Sequence, residues 1–253
     1  MHSFSIGEFL KLGLLPALTG TFMTAAYPTG PPAVHVYGTM RNFMRQNDLS
    51  AKVALDTLRR QHLYGLGVAE GLQGELLIWN GRVATTRVTP TGLVTDTLPQ
   101  GRAALLVTSA VPRWKAQPVP ATVRTASELE AFVERSARQR GIQNAPFAFR
   151  LAGAPAYVGW HVMQWPTAGG QHTHDNHHRY AYRGHYTQQP AELLGFFSRQ
   201  HQAVFTHHTT WMHMHVRPTG RPFAAHVDSL GLSGASLMLY LPAAGPIPLP
   251  NRP

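Results

Sequence analysis

The segment Trp211-Met212-His213-Met214-His215-Val216 is followed, eleven residues after His215, by His226. Side chains alternate along an extended strand, so His213 and His215 share one face and Met212, Met214 and Val216 form an apolar face behind them. Pro218-Thr219-Gly220-Arg221 reads as a turn and Pro222 to Asp228 as the returning strand. With a four-residue loop, Arg217 stands opposite Pro222, His215 opposite Ala224 and His213 opposite His226. Opposed residues on one face lie close enough for two imidazoles to reach one ion. Three neutral imidazoles with a fourth position open form the donor set of a catalytic zinc site, which makes His213, His215 and His226 candidate metal ligands. A one-residue slip would carry His226 to the wrong face, so the argument depends on the turn. The competing reading is a set of unrelated structural or surface histidines, since the chain holds 15 of them.

The elements around this hairpin read as mostly β. Leu76 to Trp79 and Arg82 to Val88 flank Asn80-Gly81, the strongest short hairpin signal in the chain. Pro90-Thr91-Gly92 leads into Leu93 to Leu98, and Ala103 to Ser109 is an apolar strand. Asp48-Leu49-Ser50 can cap a helix carrying Val53, Leu55 and Leu58. A second helix opens on the capping box Ser127-Glu128-Leu129-Glu130, carries the stripe Leu129, Phe132 and Val133, and stops at Gly141. Beyond it, Pro146 to Leu151, Ala156 to Trp165, Arg179 to Tyr186 and Ser236 to Leu241 read as strands, while Pro190 to Ser198 fits a short helix or a strand equally. The expected fold is α+β and β-rich, with mixed or antiparallel sheets and few helices. Its C-terminal half is expected to be a barrel-like antiparallel sheet carrying the metal site. Residues 1–34 read as a leader or irregular arm, 35–241 as one catalytic domain of two β-rich halves split near 142–150, and 242–253 as an irregular tail.

At 253 residues and 43% hydrophobic the chain can bury a full core. The absence of cysteine excludes disulfides, thiolate zinc sites and a cysteine nucleophile. A net charge of +10 favours an anionic partner. After Glu134 only Asp175, Glu192 and Asp228 are acidic, while 12 histidines lie from His161 onward, a field suited to a small anionic substrate beside a metal. Nucleic acid is not the expected partner: no Lys/Arg run exceeds two residues and only three lysines occur. No membrane partner is expected either, because the apolar run Leu12 to Ala26 is too short and is broken by Pro16. That run and Thr24-Ala25-Ala26 have some character of a signal peptide, but Glu8 sits where a basic region belongs. A cytoplasmic location is the expectation, with export if residues 1–26 serve as a signal.

Three further segments, in order, resemble the alpha-acetolactate decarboxylase family. The family's G-L-G-x-x-x-G-L-x-G-E-L is met by Gly65-Leu66-Gly67-Val68-Ala69-Glu70-Gly71-Leu72-Gln73-Gly74-Glu75-Leu76. An arginine after an aromatic-Ala-hydrophobic triplet is met by Phe147-Ala148-Phe149-Arg150. The H-x-H pair followed by a G-H-V-x-D segment is met by His213, His215 and Ala225-His226-Val227-Asp228, and Leu194-Gly195-Phe196-Phe197-Ser198 also looks like the family's segment upstream. The likeness runs from about Val36 to Leu241. It implies that His213, His215 and His226 hold Zn2+, that Glu75 and Arg150 are catalytic, and that the protein is a homodimer.

It further implies a carboxy-lyase that converts 2-acetolactate, a small anionic 2-hydroxy-3-keto acid, to acetoin and carbon dioxide. In that chemistry zinc is the Lewis acid for an enediolate, Arg150 holds the substrate and Glu75 relays the proton. No organic cofactor is required, since the substrate's ketone is the electron sink. From the residues alone, Glu75 would be an exposed glutamate at a turn and Arg150 part of an ion pair.

Three departures mark this chain. No acidic residue follows Asp228, where the family has a C-terminal glutamate; Ala225 replaces a glycine; and Gln171 to His178 and Thr206 to Thr209 are histidine-rich insertions. His172-Thr173-His174 reads as a solvated loop, a second metal site or a lid. Two alternative functions remain. One is a cupin-like metalloenzyme, which would need a glutamate soon after the H-x-H pair, where Val216 to Pro222 has none. The other is a non-catalytic histidine-rich metal-binding protein.

Overall fold

The computed structural model describes residues 30–166, 170, 176 and 179–243. The leader up to Thr29, the histidines of the 172–178 insertion and the tail from Ala244 lie outside the described residues. Strands β1 (Val34–Tyr37), β2 (Val53–Ala54), β3 (Leu63–Ala69), β4 (Glu75–Trp79), β5 (Arg82–Thr89), β6 (Gly92–Asp96) and β7 (Arg102–Ala110) form a seven-stranded sheet. Its order is β1-β7-β3-β4-β5-β6, with β2 also on β7. Strands β8 (Trp114–Pro118), β9 (Phe147–Gly153), β10 (Tyr157–Met163), β11 (Ala181–Tyr186), β12 (Ala191–Phe197), β13 (Met212–Pro218), β14 (Ala225–Gly231) and β15 (Leu237–Pro242) form an eight-stranded sheet. Its order is β11-β10-β14-β13-β12-β9-β15-β8. The β-rich α+β expectation holds, and the C-terminal half is an antiparallel sheet as expected, open between its edge strands β11 and β8 rather than closed into a barrel.

The sheets face each other across a core in which Leu66, Val68, Leu77 and Leu105 of the first meet Ala148, Met163, Leu194 and Phe196 of the second. The other face of the second sheet packs Phe149, Leu193 and Val216 against Leu129, Val133 and Ala137 of helix α2 (Ala126–Arg138). The Asn80-Gly81 hairpin forms as its sequence dictates: Trp79 pairs with Arg82, and both turn residues take positive φ, 48° and 80°. Pro190 to Ser198 resolves as strand β12, because a run buried on both faces between β9 and β13 has no polar side to offer a helix.

Two helix expectations are corrected. The Asp48 carboxylate accepts the Ser50 N–H at 3.0 Å and the Ser50 hydroxyl at 2.6 Å, closing a local turn instead of capping a helix. Val53 then pairs with Ala103 in the sheet, and Leu55 is buried in a short 3-10 turn. The helix lies upstream instead, as α1 (Met40–Gln46), capped by Thr39 and ended by Asn47 in the left-handed region. In α2 the capping box is Thr125 with Glu128, two residues before the expected one. Glu130 is thereby released to accept the Trp211 N–H at 2.7 Å, which fixes the entry to β13.

Candidate metal centre

Strands β13 and β14 present His213, His215 and His226 on the face turned toward the first sheet. The observed register pairs His215 with His226 and Val216 with Ala225, two residues away from the expected pairing of His213 with His226. The connection is longer than a four-residue loop: Pro218 and Pro222 have no N–H for the ladder, and Phe223 leaves the hairpin to meet Trp160 edge-on at 5.3 Å. A slip of two preserves the face, so the rings still converge. His213 Nε2 lies 3.0 Å from His226 Nδ1, and one nitrogen from each of the three histidines falls within 4.8 Å of the others. Two nitrogens sharing one zinc, each about 2.0–2.1 Å from it, stand roughly 3.3 Å apart, close to this arrangement.

Burial sets the protonation of the cluster. It lowers His213 to about 4, offset in part by the backbone of Phe205, and holds His215 well below the ordinary histidine value. Both rings are therefore neutral at pH 7, the form that ligates. Among the described residues, His213 Nδ1 and both nitrogens of His215 are buried without a well-formed hydrogen bond. Buried lone pairs left unpaired are costly, and three converging imidazoles fit a transition metal ion.

Glu75 reaches the same place from the first sheet. Gly74 at φ 112° admits no side chain, since a Cβ would stand 2.3 Å from the Thr86 carbonyl oxygen. The chain thus enters β4 tight against β5 and turns Glu75 inward. Glu75 is only 3% exposed, where the sequence alone reads a turn glutamate. Its Oε1 accepts the Met163 N–H at 3.3 Å and its Oε2 lies 3.5 Å from His215 Nε2. Burial is the main reason its carboxyl is raised to about 8. Thr86, paired with Glu75 across β4 and β5, accepts the Ala224 N–H at 2.8 Å and ties the first sheet to the approach to His226.

A row of directly opposed residues crosses the second sheet through the centre: Tyr240, Arg150, Leu194, His215, His226, His161 and Arg183. Arg150 therefore shares the face of the histidines, but its guanidinium turns away from them. It lies 4.4 Å from the Trp79 ring, 5.1 Å from Tyr240, 5.4 Å from Trp114 and 3.6 Å from Glu192. The structure brings His213, His215, His226 and Glu75 together and places the Arg150 guanidinium in this aromatic enclosure instead.

Sequence reasoning missed His161. Its Nδ1 is 2.7 Å from Asp228 Oδ1, whose other oxygen accepts from Arg183 Nη1 at 2.8 Å, and its ring stands 4.8 Å from that of His226. A lone histidine inside the apolar run Trp160-His161-Val162, and the shared parity of Asp228 with His226, were the available signals. A cavity of about 440 Å3 opens beside the cluster, lined by Glu75, His161, His213, His226, Asp228 and Arg183 and by apolar residues of α1, β3 and β7.

Two facing antiparallel sheets, with His213, His215 and His226 converging between them, make up the architecture. The particular likenesses are among solved structures. The chain is similar to alpha-acetolactate decarboxylase from Bacillus subtilis strain 168, at TM-score 0.67 and 14% identity over 83% of this chain and 85% of that one. It is also similar to acetolactate decarboxylase from Bacillus subtilis subspecies spizizenii, at TM-score 0.68 and 14% identity over 87% and 90%. A Staphylococcus aureus protein of unknown function, described as similar to alpha-acetolactate decarboxylase, matches at TM-score 0.65 and 14% identity over 82% and 84%. At such identity the shared property is the fold. No protein-family model and no curated protein matches the sequence.

Proposed function

We propose that this chain is a zinc-dependent decarboxylase of small 2-hydroxy-3-keto acids, forming acetoin and carbon dioxide from 2-acetolactate. The observation that carries the reading is the meeting of three converging imidazoles, His213 and His215 of them buried and held neutral, with the buried carboxyl of Glu75 beside one cavity of a fold shared with acetolactate decarboxylases. In such a substrate the bond from the carboxyl group to the hydroxyl-bearing carbon breaks. The electron pair moves toward the neighbouring ketone, carbon dioxide leaves, and one proton is returned. Zinc held by His213, His215 and His226 supplies, when bound, a Lewis acid for the developing negative charge.

The chain's own groups do the remainder. Glu75 presents a carboxyl whose Oε2 faces His215, and it is the group placed to relay the returned proton to carbon. Arg41, Arg45 and Arg183 line the cavity and favour an anionic substrate. Asp228 fixes both His161 and Arg183 by hydrogen bonds and so orients two polar side chains at the cavity wall. Arg150 acts from outside the cavity, bracing β9 against β12 next to His215.

The test is acetoin and carbon dioxide release from racemic acetolactate by protein reconstituted with one equivalent of zinc, beside His213→Ala. Metal-dependent product, lost in the variant, is the expected result. A protein that binds zinc tightly but releases no carbon dioxide from acetolactate or any homologue would overturn the decarboxylase reading.

A further inference from the structure

The cavity has two chemically different sides. Glu75, His161, His213, His226, Asp228 and Arg183 gather at the metal centre, linked by the contacts already described. Away from them the lining is mostly apolar: Met40, Phe43 and Met44 of α1, Val68 of β3, Leu72 of the turn after β3 and Leu105 of β7, with the α1 arginines Arg41 and Arg45 beside them. A cavity of about 440 Å3 falls in the range of roughly 300–1,000 Å3 that encloses ligands far larger than a short keto acid. Acetolactate offers only methyl groups to an apolar wall, so most of that wall would face water while it was bound. Such a mismatch wastes the desolvation that a decarboxylation site gains by closing around its substrate.

Resting on the decarboxylase reading, we infer that the preferred substrate is a 2-hydroxy-3-keto acid whose alkyl substituent is at least as large as isobutyl. The carboxyl, hydroxyl and ketone groups lie at the histidine side, and the alkyl group lies along α1, Val68 and Leu72. Side chains on α1 therefore set chain-length selectivity. Met44 is the residue to change, since it lines the cavity yet is 46% exposed, so substitution there leaves the core intact. The reaction balances as for acetolactate: carbon dioxide leaves and one proton is returned, whatever the substituent.

The experiment compares kcat/KM for zinc-loaded protein on a series of racemic 2-hydroxy-3-keto acids with methyl, ethyl, isobutyl and benzyl substituents, read as carbon dioxide release. Burial of apolar surface predicts a rise of about fourfold for each added methylene until the cavity is filled. Met44→Trp, which occupies part of the apolar side, should move the optimum to a shorter substituent while zinc content and the thermal midpoint stay near those of wild type. Turnover that is greatest with methyl or ethyl, or equal across the series, would overturn the inference and leave the decarboxylase intact. A series in which no member is turned over would instead refute the proposed function.

Discussion

Removing the Glu75 carboxyl changes how the metal-free protein responds to pH. This carboxyl has an ordinary value of 4.5 and is raised to about 8, chiefly by burial. Between those values the unfolded chain has released the proton while the folded chain still holds it, so stability falls as pH rises. The penalty is absent below pH 4.5, grows by about 1.4 kcal/mol per pH unit, and levels off near roughly 5 kcal/mol above about pH 8. Glu75→Gln keeps the shape and an acceptor for the Met163 N–H but cannot ionise. Urea denaturation of both proteins in chelator, from about pH 5 to about pH 9, measures the difference. His213 and His215, held neutral by burial, lose stability toward acid pH in both proteins alike and so cancel. The variant should gain on the wild type steadily up to about pH 8 and no further. Saturating zinc should flatten the difference, because a cation beside a carboxyl favours its ionised form. A difference that stays flat in chelator would refute the raised Glu75 carboxyl of the metal-free protein.

Four other outcomes are expected. His226→Ala should abolish stoichiometric zinc retention after dialysis, since it removes one of three ligands, with far-ultraviolet circular dichroism unchanged. Asp228→Asn releases His161 and Arg183 together, and kcat/KM should fall by about 10- to 100-fold with zinc content preserved. Glu192→Ala leaves Arg217, paired with it at 2.6 Å, and Arg150 uncompensated in a mostly buried setting. It should cost about 3 kcal/mol in urea denaturation. Gly195→Ala would place a Cβ 2.2 Å from the Phe149 ring, between β9 and β13, and should lower unfolding free energy by about 1–3 kcal/mol, seen as a reduced thermal midpoint.

What the residues reveal in advance follows from what a period of two can and cannot specify. Alternation in Met212 to Val216 assigns His213 and His215 to one face whatever the loop does, and parity brings His226 to the same face. Register is another matter: the two-residue difference arises from Pro218, Pro222 and the Phe223 contact with Trp160, none of which enters an alternation pattern. Alternation likewise puts Arg150 on the histidine face without telling where a long side chain leads. Its direction is set by Trp79, Trp114, Tyr240 and Glu192, which only the folded sheets assemble. His161 escapes notice for a sharper reason, because a bulge between Gly159 and Trp160 shifts the β10–β14 register beside it, so strand counting from either end gives different partners. The depth of Glu75 is invisible too, since a glutamate after Gly74 reads as a turn until the opposite sheet closes over it. The centre is thus His215 and His226 of one row on the second sheet, joined by His213 two residues along β13 and completed by a single carboxyl from the first sheet. Its integrity therefore also depends on the Thr86 to Ala224 contact, which ties the two sheets, and on Glu130 of α2, which fixes the entry to β13 through the Trp211 N–H.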